Sequence, residues 1–139
     1  MARYFFFGTL MDDTVRRLVV GRRPVEPGFL MGFQRFYAPR GSYPVLVPAS
    51  EEAVIKGLLV DGINAKAARR LELFEGPEYR AELLTIRRGA PNGESIQARA
   101  FQTRPGVTHR PKLWDYGAWQ RRERMAYLER VRDWARRVA

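Results

Sequence analysis

Leu71-Glu72-Leu73-Phe74-Glu75-Gly76-Pro77-Glu78-Tyr79-Arg80 closes a helix, leads into strand-type sequence, and puts a carboxylate where the pattern asks for an apolar residue. On a helical wheel of about 100° per residue, Ala67, Ala68, Leu71 and Phe74 form one stripe, and Glu75 falls inside it, roughly 40° from Leu71. Gly76 can turn left-handed and Pro77 cannot continue the hydrogen-bond ladder, so the helix ends here. A half-buried carboxylate in the last turn has its charged form disfavoured by desolvation, by the negative end of the helix dipole and by Glu72 nearby. All three raise its pKa towards that of a general base. The wheel alone leaves this reading and an exposed helix-terminal glutamate equally open.

Upstream, Asn64 caps the helix, and Ala53 to Val60 reads as a strand that Asp61-Gly62 ends, with Gly57 as a bulge or a point of close approach. Downstream, Leu83-Leu84-Thr85-Ile86 and the alternating Ile96, Ala98 and Ala100 flank Pro91-Asn92-Gly93, the pattern of a hairpin. The aromatic run Tyr4-Phe5-Phe6-Phe7 reads as a buried first strand closed by a Gly8-Thr9-Leu10 turn. Asp12 or Asp13 then caps a short helix that Gly21 ends. Such a glycine loop presents backbone N–H groups suited to a carboxylate or an oxyanion, although most loops of this kind are only turns.

Pro24 and Pro27 mark a connector, 28–37 is a strand or bent hairpin arm, and Val45-Leu46-Val47 is a further strand behind Tyr43-Pro44. Tyr43 is either a phenol in a site or, more commonly, a core aromatic with a satisfied hydroxyl. A Pro/Gly loop at 104–112 carries His109. Asp115 caps a long C-terminal helix whose apolar positions are Met125, Leu128, Val131, Ala135 and Val138.

The length of 139 residues fits one domain, 1–139. Without cysteine there is no disulfide framework, thiol nucleophile or Cys-based zinc site, and one histidine cannot furnish a His-based triad or zincin motif. No metal or cofactor is expected. No stretch approaches the roughly 18 apolar residues of a membrane span, and no secretory leader is visible, so a cytoplasmic location is expected. The formal charge of +10 comes from 25 basic residues, of which 22 are arginine, against 15 acidic ones. The arginines fall in scattered pairs without a nucleic-acid module, the pattern of a solvated surface rather than of a nucleic-acid partner.

Phe7-Gly8-Thr9-Leu10 after the first strand, Tyr43-Pro44 before an apolar strand, Gly57-Leu58-Leu59-Val60, and Phe74-Glu75-Gly76 followed by Tyr79-Arg80 together resemble the γ-glutamylcyclotransferase-like superfamily. The nearest likeness is to its avirulence-induced-gene and γ-glutamylamine cyclotransferase branch, and it covers most of the first hundred residues. The resemblance implies an α+β fold with a small, mixed, twisted β-barrel, short rim helices and a long C-terminal helix. It implies cyclisation of a small-molecule γ-glutamyl substrate to 5-oxoproline with release of an amine. Glu75 would be the acid/base, Phe7, Gly8, Thr9 and Leu10 the substrate loop, and Tyr43 and Tyr79 the pocket lining. Phe7 departs from the pattern, which has tyrosine there.

The substrate's own α-amine is the nucleophile in this chemistry, so the protein needs a proton carrier and oxyanion donors rather than a serine, cysteine or metal. Glu75→Gln is accordingly expected to abolish activity with little change in thermal stability. Two other readings remain open: a non-catalytic metabolite-binding protein of the same fold, and a basic protein associated with nucleic acid.

Overall fold

A computed structural model describes residues 1–139. The chain runs β1 (Ala2–Phe6), a 3-10 turn (Thr9–Met11), α1 (Asp13–Val20), β2 (Val25–Met31), β3 (Phe33–Tyr37) and β4 (Pro44–Pro48). It continues through β5 (Val54–Ile63), α2 (Ala65–Glu75), β6 (Tyr79–Arg88), β7 (Ser95–Thr103), α3 (Tyr116–Arg122) and α4 (Arg124–Val138). Five strands close a barrel in the order β1-β5-β2-β6-β7. All neighbours are antiparallel except β1 and β7, which meet in parallel at Tyr4 and Arg99 and make the barrel mixed. β3 and β4 form a separate two-stranded arm.

The aromatic first strand is buried on both faces. Phe5 and Phe7 belong to one apolar cluster with Leu30, Ile55, Leu59, Ile86, Ala98 and Ala100. Tyr4 and Phe6 belong to the other, which the barrel shares with the helices through Val15, Val19, Leu71, Trp119, Leu128 and Val131. Alternation along β1 therefore serves two cores at once, which is why the strand reads as a continuous apolar run. Gly57 permits the closest strand approach: a Cβ there would stand 2.5 Å from the Phe6 carbonyl oxygen and 2.7 Å from the Phe5 ring.

The helix caps follow the sequence. The Asp12 carboxylate accepts from the N–H groups of Thr14 and Val15, Asn64 from that of Ala67, and Asp115 from that of Ala118. The hairpin forms in full, pairing β6 with β7 from Tyr79–Thr103 to Arg87–Ser95.

Three expectations are corrected. Asp61-Gly62 does not end β5, because Tyr4 pairs with Val60 while Ala2 pairs with Ile63. The extra residue on β5 is a bulge, and Gly62 supplies it with φ +77°. Pro27 lies inside β2 rather than in a connector, opposite Leu58 of β5; its carbonyl accepts from the Gly89 N–H just beyond β6, and its missing N–H falls at the end of that short ladder.

The C-terminal helix, finally, is two helices broken at Glu123 (φ −123°, ψ −17°). There the Glu123 carboxylate accepts from the Tyr37 hydroxyl at 2.6 Å, and the next residue, Arg124, pairs with Asp12 at 2.5 Å. The face that α4 packs also differs from the expected stripe. Met125 is left 76% exposed, and the packed face becomes Tyr127, Leu128, Val131 and Trp134. No helix is long and apolar enough to cross a membrane.

Candidate active site

Three chain reversals meet at one end of the barrel: the exit of β1, the end of α2, and the entry to β4. The first turns sharply because Pro44 packs against Gly8, where a Cβ would come within 2.9 Å of the proline ring. The second turns because Gly76, at φ +84°, stops α2 and lets its N–H bond back to the Glu72 carbonyl. Between them lies a cavity of about 140 Å³. That is well under the roughly 300–1,000 Å³ of drug-sized sites, and it suits a group the size of one amino acid.

All seven residues singled out in the sequence line this cavity: Phe7, Gly8, Thr9, Leu10, Tyr43, Glu75 and Tyr79. Burial of the Glu75 carboxyl raises its pKa from 4.5 to about 7, with no cation contributing. Desolvation is the cause, and Glu72, expected to add a like charge, is instead exposed and pairs with Arg69 at 3.6 Å. The Tyr79 phenol is pushed up by burial first, then by the neighbouring Tyr43 phenol and Glu75. The Tyr43 and Tyr79 rings meet edge-on, 6.2 Å between centroids.

The loop lining the same cavity leaves its amides free. The N–H groups of Gly8, Thr9 and Leu10 donate to no main-chain carbonyl, whereas every carbonyl from Phe7 to Met11 is engaged. The Gly8 and Thr9 oxygens accept from the N–H groups of Met11 and Asp12 at 2.9 and 3.1 Å. The Leu10 and Met11 oxygens accept from Arg16 Nη1 at 3.2 and 3.0 Å, and the Phe7 oxygen from Arg35 Nη1 at 2.9 Å. Three consecutive unpaired donors bordering a small cavity are an arrangement suited to a carboxylate or a developing oxyanion.

The Phe7 ring is buried in the barrel cluster, 6.3 Å from that of Phe5. Position 7 thus holds the loop through its ring and carbonyl. His109 is exposed, and its ring tilts over Phe36 at 4.6 Å between centroids.

Sequence reasoning missed Tyr127, which α4 brings to the cavity wall. Its hydroxyl accepts from Thr9 Oγ1 at 2.9 Å, leaving its own proton free to donate, and burial raises its pKa. The available signal was its spacing of four and seven residues from Val131 and Trp134, obscured by a helical phase set from Met125. Arg16 and Arg35, behind the loop, were also missed because an isolated arginine in sequence looks like surface.

Residues 4–121 match the family model described as gamma-glutamyl cyclotransferase, AIG2-like. The chain belongs to this family. Among curated relatives of the gamma-glutamyl cyclotransferase, AIG2-like family, AIG2-like protein D of Arabidopsis thaliana is 27% identical over 139 residues, 97% of this chain and 90% of the relative. The solution structure of an Arabidopsis thaliana protein superposes with a TM-score of 0.64 at 25% identity, covering 92% of this chain and 86% of that one. A solved structure named gamma-glutamyl cyclotransferase gives a TM-score of 0.64 at 12% identity over 94% of this chain and 86% of its own, a likeness of fold.

Proposed function

We propose that the protein converts a γ-glutamyl amide to 5-oxoproline and a free amine, with Glu75 as the proton carrier. The observation that carries this reading is one small cavity lined both by a carboxyl that burial pushes up to about 7 and by a loop with three unpaired amides. Family membership supports a gamma-glutamyl cyclotransferase-like activity. The remaining steps are derived from the residues.

The substrate's α-ammonium gives a proton to the ionised Glu75, and the resulting amine attacks the γ-carbonyl. A new N–C bond forms, and the carbonyl oxygen becomes an oxyanion facing the Gly8, Thr9 and Leu10 amides. Collapse breaks the bond to the leaving nitrogen. The two protons lost by the α-nitrogen are the two gained by the leaving amine, so Glu75 carries protons without net consumption and no outside acid or base is required. A pKa near the working pH serves both directions of transfer. Tying nucleophile and electrophile into one molecule supplies much of the acceleration, and the small cavity favours the folded-back conformer. Tyr43, Tyr79 and Tyr127 are the polar walls that orient it.

The test is release of 5-oxoproline from a panel of γ-glutamyl amines and dipeptides. Wild-type turnover of at least one member, abolished in Glu75→Gln, is the expected result. Binding of 5-oxoproline without turnover of any member would favour a metabolite-binding role for the same cavity.

A further inference from the structure

Arg35 is a half-buried cation with no carboxylate in ion-pair range, and its guanidinium reaches the loop that lines the cavity. Burial lowers its pKa, and only the field of Asp115 opposes this. Its guanidinium lies over the Trp114 ring at 5.2 Å, and its Nη1 donates to the Phe7 carbonyl oxygen at 2.9 Å. A desolvated charge without a counterion is costly, and stapling β3 to the loop needs only a neutral donor.

The geometry points to Arg35 as a positioning residue that aims and strengthens the Gly8 amide as an oxyanion donor, through the Phe7–Gly8 peptide. This inference rests on the cyclotransferase reading of the cavity. The peptide is planar and trans, so its C=O and N–H point in opposite directions. Fixing the Phe7 oxygen on Arg35 therefore directs the Gly8 N–H the other way, and with both Phe7 and Gly8 bordering the cavity we infer that this way is into it.

A cation on the oxygen also draws electron density from the nitrogen, making the N–H a better donor at the moment negative charge develops. Arg16 does the same work further along the loop, but it is tied to Asp13, which offsets its charge. Arg35 has no carboxylate paired with it, only the field of Asp115.

Arg35→Met removes the charge and keeps apolar packing on Trp114; Arg35→Lys keeps a point charge. The readouts are kcat, KM and the amide proton shift of Gly8. With a γ-glutamyl substrate that the wild type turns over, Arg35→Met is expected to lower kcat about 10- to 100-fold, less than loss of a whole oxyanion donor, with KM little changed. Its Gly8 amide signal should move upfield, and Arg35→Lys should recover most of both.

Wild-type kcat in folded Arg35→Met, or a Gly8 signal that stays in place while kcat falls, overturns the inference. If Arg35→Met does not fold, Arg35→Lys decides: kcat and the Gly8 shift must be retained or lost together, and divergence overturns it. Failure of the function reading looks different. The wild type then turns over nothing, while the Gly8 shift in Arg35→Met still reports whether Arg35 polarises the peptide.

Discussion

Replacing Glu75 by glutamine should make the protein more stable as it makes it inactive, and only above a definite pH. A carboxyl that burial carries from 4.5 to about 7 binds its proton more tightly in the folded state than in the unfolded chain. Below about pH 4.5 both states are protonated and the group contributes nothing. Between 4.5 and 7 the unfolded chain ionises first, so stability falls as pH rises, and above 7 the loss is complete. At about 1.4 kcal/mol per pH unit, the folded state is less stable by about 3 kcal/mol on the alkaline side.

Glutamine has the same shape and no charge to desolvate, so Glu75→Gln escapes this penalty, less what its amide loses by burial. At roughly 3–5 °C per kcal/mol for a chain of this length, its Tm should exceed the wild type's by several degrees at pH 8 and match it at pH 4.5. Thermal unfolding of both proteins across pH 4 to 8.5 measures this directly. A difference independent of pH, or a variant less stable throughout, would refute the claim that the carboxyl is held in a desolvating cavity. This revises the expectation from sequence that the substitution would leave Tm nearly unchanged: a carboxyl whose pKa is raised by burial is held at a cost to the fold, and removing it relaxes the site.

The same titration sets the acidic limb of the rate profile: kcat/KM should rise about tenfold per pH unit below about 7 and level off above it, as read from initial rates of 5-oxoproline formation. Tyr127→Phe removes the acceptor of the Thr9 hydroxyl and a cavity donor. It should lower kcat/KM about tenfold while unfolding free energy stays within about 1 kcal/mol, so a large stability loss without a kinetic effect would mark Tyr127 as purely structural. Asp12→Ala deletes the cap of α1 and leaves Arg124 without its carboxylate, costing about 2–4 kcal/mol in urea denaturation. Gly57→Ala forces a Cβ against the Phe6 carbonyl and should cost about 1–3 kcal/mol; an unchanged midpoint would show that β1 and β5 are not so closely packed.

What could be read from sequence was whatever local geometry dictates. Glu75 stood out because it interrupted an apolar stripe, and the helix exposed that conflict before any tertiary contact was known. Its burial depended on what faced the stripe, which is why the wheel left two readings open. The break at Glu123 was hidden for the opposite reason. No glycine or proline marks it; it follows from Glu123 meeting Tyr37 and Arg124 meeting Asp12, contacts that span more than 80 residues. Tyr127 was concealed separately, by starting the stripe of α4 at Met125, which is exposed.

The arginines carry the same lesson further. Composition makes them a solvated surface, yet Arg16 and Arg35 hold loop carbonyls, Arg70 holds those of Leu18 and Val19, and Arg23 those of Val20 and Gly62. A guanidinium has five donors and no acceptor, so it can terminate chain segments that regular structure leaves unpaired, and nothing in the residue's own sequence neighbourhood says which segment it will reach. In this fold a small barrel with short rim helices leaves many such ends. Some of the positive charge is thus structural, and at the Phe7 carbonyl it holds the loop that lines the cavity together with Glu75.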